Sequence, residues 1–183
     1  MSLSVIVALA DGFEEIEAVA PIDILRRAGL NVVTVGISGR TVIGSHGIVL
    51  TADQAWNDPP PPDILVLPGG MPGSRHLGEH FGLQQMARQV AQSDGYLAAI
   101  CAAPAFTLGA WGLLSGRNAT CYPGCEELFP LNVTYRNEPV VVDGHIVTAR
   151  GPGVALEFSF RLAELLQSAE AVDRLRSQMQ CGI

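Results

Sequence analysis

Hydrophobic positions along this chain alternate between short unbroken runs and longer stretches with helical spacing, the pattern of an α/β domain. Ser4 to Ala10 is an apolar run of strand length that stops at the Asp11-Gly12 turn signal. Glu14 to Arg27 then carries Ile16, Val19, Ala20, Ile22 and Leu25 on a mostly apolar helix face. It closes on Arg26-Arg27-Ala28-Gly29, basic residues before a glycine, as a helix C-terminus prefers. With Asn31 to Ile37 as the next strand, strand, helix and strand in so few residues predict a right-handed βαβ unit on a parallel sheet.

The same alternation continues. Val42-Ile43 and Ile48-Val49-Leu50 flank Gly44-Ser45-His46-Gly47 as a hairpin, and Asn57 to Pro62 is a proline-rich surface connection. Asp63 to Leu67 is a buried strand ending in Pro68-Gly69-Gly70-Met71-Pro72-Gly73; Phe81 to Ala91 is a helix with Leu83, Met86, Ala87 and Val90 on one face. Tyr96 to Ile100 is the central strand, and Ala102 to Trp111 a helix that Gly112 to Gly116 breaks, with Pro104 tolerated in its first turn. Ala119 to Cys121 and Asn132 to Tyr135 are short strands, and Val140 to Val142 with Ile146 to Thr148 form a hairpin about Asp143-Gly144. Helices over Ala155 to Gln167 and Gln167 to Met179 complete the chain, which contains no internal repeat.

Composition narrows the picture. The 183 residues suit one domain, 1–183, with a genuine core, and 48% hydrophobic against 16% charged residues excludes a disordered chain. The 11 basic and 18 acidic side chains give a net charge of −7 without a basic stripe, so a nucleic-acid backbone or an anionic membrane finds little attraction here. The apolar start lacks a basic leader region and runs into acidic residues, so it reads as a strand and the expected location is cytoplasmic. Cysteines stand at 101, 121, 125 and 181; Cys121 and Cys125 have spacing a metal could use, but no second close pair exists, and no metal is expected.

Chemistry concentrates where the central strand meets its helix. Cys101 falls on that turn, among backbone N–H groups that favour a thiolate and can hold an oxyanion. A cysteine in an apolar run is also a common buried hydrophobe, and composition does not choose between the two. The Pro68 to Gly73 loop emerges on the same sheet rim, where its glycines let N–H groups approach a ligand or simply make a tight turn. Past the first strand stand Glu14, Glu15 and Glu17: the first two suit a helix dipole, whereas Glu17 shares a face with Ala20 and Phe13 and points inward. Beside a thiol such a carboxyl keeps its proton, because two adjacent anions cost too much, and the pair then offers a nucleophile and a proton carrier. None of the histidines at 46, 76, 80 and 145 can be fixed beside Cys101 from sequence.

Four separated segments, Glu14-Glu15-Ile16-Glu17, Leu67-Pro68-Gly69-Gly70, Ala99-Ile100-Cys101-Ala102-Ala103-Pro104 and Arg150-Gly151-Pro152-Gly153, together resemble the ThiJ/PfpI superfamily over nearly the whole chain. The match is to its branch containing bacterial YajL and human Parkinson disease protein 7. The resemblance implies a flavodoxin-like α/β sandwich with a mostly parallel sheet and a nucleophile elbow, usually a homodimer. It makes Cys101 the reactive cysteine, Glu17 the protonated glutamate touching its sulfur, and Gly70 and Ala102 the backbone donors around it. Arg27 and Arg150 fall where the family has arginines near the pocket or the dimer interface. Tyr122 stands where human-type members have a histidine, and His46 where they have a pocket arginine. Ala102 in place of the histidine of the protease-like branch argues against peptidase activity. The implied activity is a glyoxalase or deglycase without metal or organic cofactor, acting on methylglyoxal, small aldehydes or glycated thiols and amines. The alternative is an oxidation-sensing stress protein with chaperone activity.

Overall fold

The computed structural model describes residues 3–181. In chain order its first half has β1 (Ser4–Leu9), α1 (Glu15–Arg27), β2 (Asn31–Gly36), β3 (Thr41–Ile43), β4 (Val49–Thr51), β5 (Gln54–Ala55), β6 (Ile64–Leu67), α2 (Gly73–Glu79) and α3 (Phe81–Gln92). The second half has β7 (Tyr96–Ile100), a π-helix (Pro104–Gly109), β8 (Asn118–Ala119), β9 (Thr134–Tyr135), β10 (Val140–Asp143), β11 (Ile146–Ala149), α4 (Ala155–Leu166) and α5 (Ala169–Gln178). Seven strands form the central sheet in the order β10-β11-β7-β6-β1-β2-β5. Only β10 runs antiparallel to its neighbour, so the expected mostly parallel flavodoxin-like α/β sandwich is what the chain forms.

The unbroken apolar runs follow from burial on both faces of the sheet. Along β1, Val5, Val7 and Leu9 enter one core with Ile24 and Leu25 of α1 and Phe158 and Leu162 of α4. Ile6 and Ala8 of β1 enter the other with Leu77 of α2, Leu83 and Met86 of α3, and Trp111. Parallel pairing brings the carboxyl ends of β1, β6, β7 and β11 to one rim, and the order reverses between β1 and β6, where such sheets place ligands.

Three elements differ from the sequence reading. The expected α-helix from Ala102 to Trp111 is π-helical over Pro104–Gly109, with Ala110 N–H donating to Ala105 O and Leu113 N–H to Leu108 O, five residues back. Pro104 has no N–H to give, and Thr107 Oγ1 donates to the Ala103 carbonyl at 2.6 Å. The widened turn also faces α2 at its closest approach: a Cβ on Gly78 would collide with the Phe106 carbonyl, and Trp111 Nε1 donates to Gly78 O at 2.9 Å. The α2 helix has no counterpart in the sequence pattern, since seven residues with two glycines carry little periodic signal. The two-residue β5 is likewise too short to stand out.

Phe158 is fully buried in the core shared by α1 and α4. Phe158→Ala is expected to lower the unfolding free energy by about 3–5 kcal/mol, read from urea denaturation.

Candidate active site

Three chain segments meet at the rim: the turn after β7 with Cys101, the loop after β6 with Gly69 and Gly70, and the first turn of α1 with Glu17. Cys101 adopts φ +66°, a left-handed conformation that is unfavourable for a residue with a Cβ. Its neighbours fix it there, because its N–H donates to Ala149 O at 2.8 Å and its carbonyl accepts the Tyr122 N–H at 2.8 Å. The sulfur thereby leaves the strand direction in a residue that is 8% exposed, and accepts the backbone N–H groups of Gly70 and Ala102. One donor comes from the elbow itself and the other from the neighbouring loop.

Gly69 and Gly70 are required by space and conformation. Any Cβ on Gly69 would strike Glu17 Oε2 and Cys101 Cβ, so that position must be bare for carboxyl and thiol to meet. Gly70 holds φ +88° against the backbone of Gly12 to Glu14. Glu17 is completely buried; its Oε2 accepts the Gly69 N–H at 2.9 Å, and its carboxyl hydrogen-bonds the Cys101 side chain. Oε1 has no hydrogen-bond partner among the described residues. Because Oε2 already accepts an N–H, the carboxylic proton belongs on the unpartnered Oε1.

Electrostatics agree with that placement. Burial, with a contribution from Glu14, pushes the Glu17 carboxyl up to about 8 against the Cys101 hydrogen bond and the Gly69 N–H, which lower it. Glu17 therefore holds its proton at neutral pH. Burial, and then an ionised Glu17, push the Cys101 thiol up, whereas the Gly70 and Ala102 N–H groups pull it down. The charge repulsion vanishes while Glu17 is protonated, which leaves two amides and a carboxylic acid facing the sulfur. Cys121 has no such donors, and burial pushes it up to about 12. Cys121 and Cys125 are free thiols.

The remaining residues singled out from sequence are distributed unevenly. Gly70, Ala102, Cys101 and Glu17 come together. Tyr122 adjoins the elbow through its backbone, with its ring beside Gly151, and Arg150 follows directly on Ala149, the residue that accepts the Cys101 N–H. Arg27 does not join them. It pairs with Asp23 at 2.9 Å at the other end of α1, roughly 15 Å along the helix from Glu17 at a rise of 1.5 Å per residue. His46 lies beside the first turn of α1 rather than at the sulfur: its ring is 70% exposed, Nδ1 meets Glu15 Oε2 at 2.8 Å, and it is within 4.8 Å of a Glu14 carboxylate oxygen.

Glu14 and Glu15 are not the solvated first-turn acids that the helix dipole alone suggests, for both are buried. Glu14 caps α1 by accepting the Glu17 N–H at 2.8 Å. Glu15 binds the hairpin, accepting the His46 N–H at 2.8 Å and the His46 ring. Burial opposes its charge, but those bonds and the Ile48 N–H outweigh it and carry the carboxyl down to about 2. Among the described residues, Glu14, Glu15 and His46 are the group whose potential metal-ligating atoms lie within 4.8 Å of one another, but both acids are already engaged as acceptors. Sequence reasoning alone misses the Gly69 amide and the Glu14 cap. The paired glycines and an acid one residue before the helix are the available signals.

A left-handed cysteine on a strand-to-helix elbow, with a protonated glutamate and two amides at its sulfur, defines the class of parallel α/β proteins built around a nucleophile elbow. The sequence matches the DJ-1/PfpI family over residues 3–165, and the chain belongs to that family. Protein DJ-1 homolog A of Arabidopsis thaliana is 42% identical over 179 residues, 95% of this chain and 45% of that protein. The chain thus spans less than half of that relative's length. The Caenorhabditis elegans glutathione-independent glyoxalase DJR-1.2 is 32% identical over 164 residues, 88% of this chain and 87% of that protein. The structure of oxidised Toxoplasma gondii DJ-1 superposes with a TM-score of 0.94 at 34% identity, covering 100% of each chain.

Folding raises the Glu17 carboxyl above its ordinary 4.5, so the stabilisation of its protonated form is complete below that value. It is lost as pH rises through about 8. Glu17→Gln removes this dependence. Urea unfolding of both proteins between pH 4 and 9 is expected to show E17Q gaining on wild type across that window, by on the order of a few kcal/mol.

Proposed function

We propose that this chain is a cofactor-independent, cysteine-dependent glyoxalase or deglycase acting on methylglyoxal or its adducts. The observation that carries the reading is the convergence of the Gly70 and Ala102 N–H groups and the buried Glu17 carboxyl on the Cys101 sulfur. Similarity over 88% of the chain to a glutathione-independent glyoxalase supports it.

The Cys101 thiolate adds to the aldehyde carbon of methylglyoxal, forming a C–S bond while the carbonyl electrons move to oxygen. The Gly70 and Ala102 amides stabilise that oxyanion, each donor contributing about 3–4 kcal/mol when well aligned. Glu17 supplies the proton that converts it to a hemithioacetal. The resulting Glu17 carboxylate removes the proton from the former aldehyde carbon and returns one to the adjacent carbon, so that one carbon is oxidised as the other is reduced. Water then cleaves the thioester, releasing lactate and the thiolate. An imine route has no side-chain amine available, because the 183 residues contain no lysine.

A second reading uses the same sulfur. Oxidation of Cys101 to a sulfinate would place its oxygens among the donors that now face the sulfur, and the matched Toxoplasma structure is of an oxidised DJ-1. This supports a redox-responsive stress protein as the alternative.

Methylglyoxal consumption with chiral lactate detection, without glutathione or added metal, separates the two readings. Turnover by wild type and its loss, by at least about 100-fold, in C101A and E17Q is the expected result. No turnover by reduced, folded wild type, with peroxide adding oxygen to Cys101, would replace the enzyme with the sensor.

The proposed assembly is a homodimer. Ile16 and Val19 on α1, Ile48 in the hairpin and Leu156 on α4 are 56%, 49%, 60% and 50% exposed, an apolar face suited to a second copy. Val19→Glu is expected to shift sedimentation from dimer to monomer. No helix of the described residues is long and apolar enough to cross a membrane.

A further inference from the structure

Glu14 is a buried acid that the mechanism above does not use. It is 8% exposed and caps α1, yet glutamate is a poor choice for capping alone: the shorter Ser, Thr, Asp and Asn dominate that position. Its particular reach has two consequences at the active site. The side chain extends over the first turn so that Oε2 accepts the N–H of Glu17 itself, at 2.8 Å. Its own N–H donates to Gly69 O at 2.9 Å, fixing the loop whose two amides serve Glu17 and Cys101. One residue therefore ties the proton carrier's backbone to the loop that supplies a sulfur donor.

The charge matters as well as the bonds. Two carboxylates held this close in a buried site cannot both ionise cheaply. Glu14 is seated on an N–H at the positive end of a helix, where a negative side chain is favoured. The groups facing the Glu17 carboxyl are the Cys101 sulfur from the elbow after β7, the Gly69 amide from the loop after β6, and Glu14 from α1's own cap. Glu15 and His46 stand beside Glu14 but are paired with each other.

We propose that Glu14 is a positioning residue whose carboxylate keeps the proton on Glu17 beside Cys101 while its backbone amide holds the Gly69–Gly70 turn in register. The proposal rests on reading Cys101 and Glu17 as the reactive pair, but it does not depend on which substrate they act upon. It predicts that charge at position 14, beyond the cap, adds to burial in raising the pH at which Glu17 loses its proton.

The test is a carboxyl carbon-13 NMR titration of glutamate-labelled wild type, E14Q and E14D, with Glu17 assigned from the signal missing in E17Q. Thermal unfolding of each variant is followed in parallel. The amide introduced by E14Q retains an acceptor oxygen for the helix but no charge, whereas the shorter carboxylate introduced by E14D retains both. The expected result is that Glu17 titrates at lower pH in E14Q and close to the wild-type pH in E14D. An unmoved Glu17 in E14Q would overturn the proposal. Equal shifts in both variants, tracking a loss of thermal stability, would also overturn it by showing an effect of the cap alone. Failure of methylglyoxal turnover leaves this titration untouched, so the glyoxalase reading and the role of Glu14 fail separately.

Discussion

A carboxyl group excluded from water against a sulfur is the interaction on which the arrangement of this protein turns. Removing Glu17 from solvent makes its anion costly, and the fold meets that cost by keeping the proton. Everything adjacent serves to let the two side chains meet. Gly69 has no Cβ because carboxyl and thiol occupy its space, and Gly70 turns left-handed so that an amide can reach the sulfur. Cys101 itself accepts an unfavourable backbone conformation, held by bonds to Ala149 and Tyr122. Strain of this kind, about 1–3 kcal/mol for a non-glycine residue, persists when surrounding strands over-determine it.

The parallel sheet is what allows three distant segments to cooperate. Each of β1, β6 and β7 delivers its following residues to the same rim, and the reversal of strand order between β1 and β6 opens the space into which Glu17 and the glycine loop extend. The helix carrying Glu17 begins at that rim, so its first turn can serve the site while its body buries Ile24 and Leu25 in the core.

Much of this is legible in the sequence because burial on both faces of the sheet leaves a continuous signal. The runs at Ser4–Leu9, Ile64–Leu67 and Tyr96–Ile100 announce strands, and Cys101 at the end of one of them announces an elbow. Glu17 is readable as inward-facing because its helical neighbours are apolar. What cannot be read are features set by close approach between segments far apart in the chain. The π-helix packs closely on Gly78 of α2, and the buried Glu15 is bound by amides of a hairpin some thirty residues away. Arg27, which the resemblance puts near the pocket or the dimer interface, lies near the opposite end of α1 from Glu17 and pairs with Asp23. Spacing along a helix fixes a face, while distance along it decides which rim a residue serves.

The contrast between Cys101 and Cys121 shows that burial alone does not make a cysteine functional. Both are buried, and burial raises both thiols. Cys121 receives no amide donors among the described residues, and burial keeps its thiol protonated. Cys101 differs in having two amides aimed at sulfur and a neighbouring acid able to stay neutral. Adding negative charge is tolerable at such a sulfur whether it arrives as a thiolate, as the oxyanion of an adduct or as sulfinate oxygens. A single electrostatic environment therefore suits both of the proposed chemistries, carbonyl addition and oxidation, which would compete for the same reduced thiol.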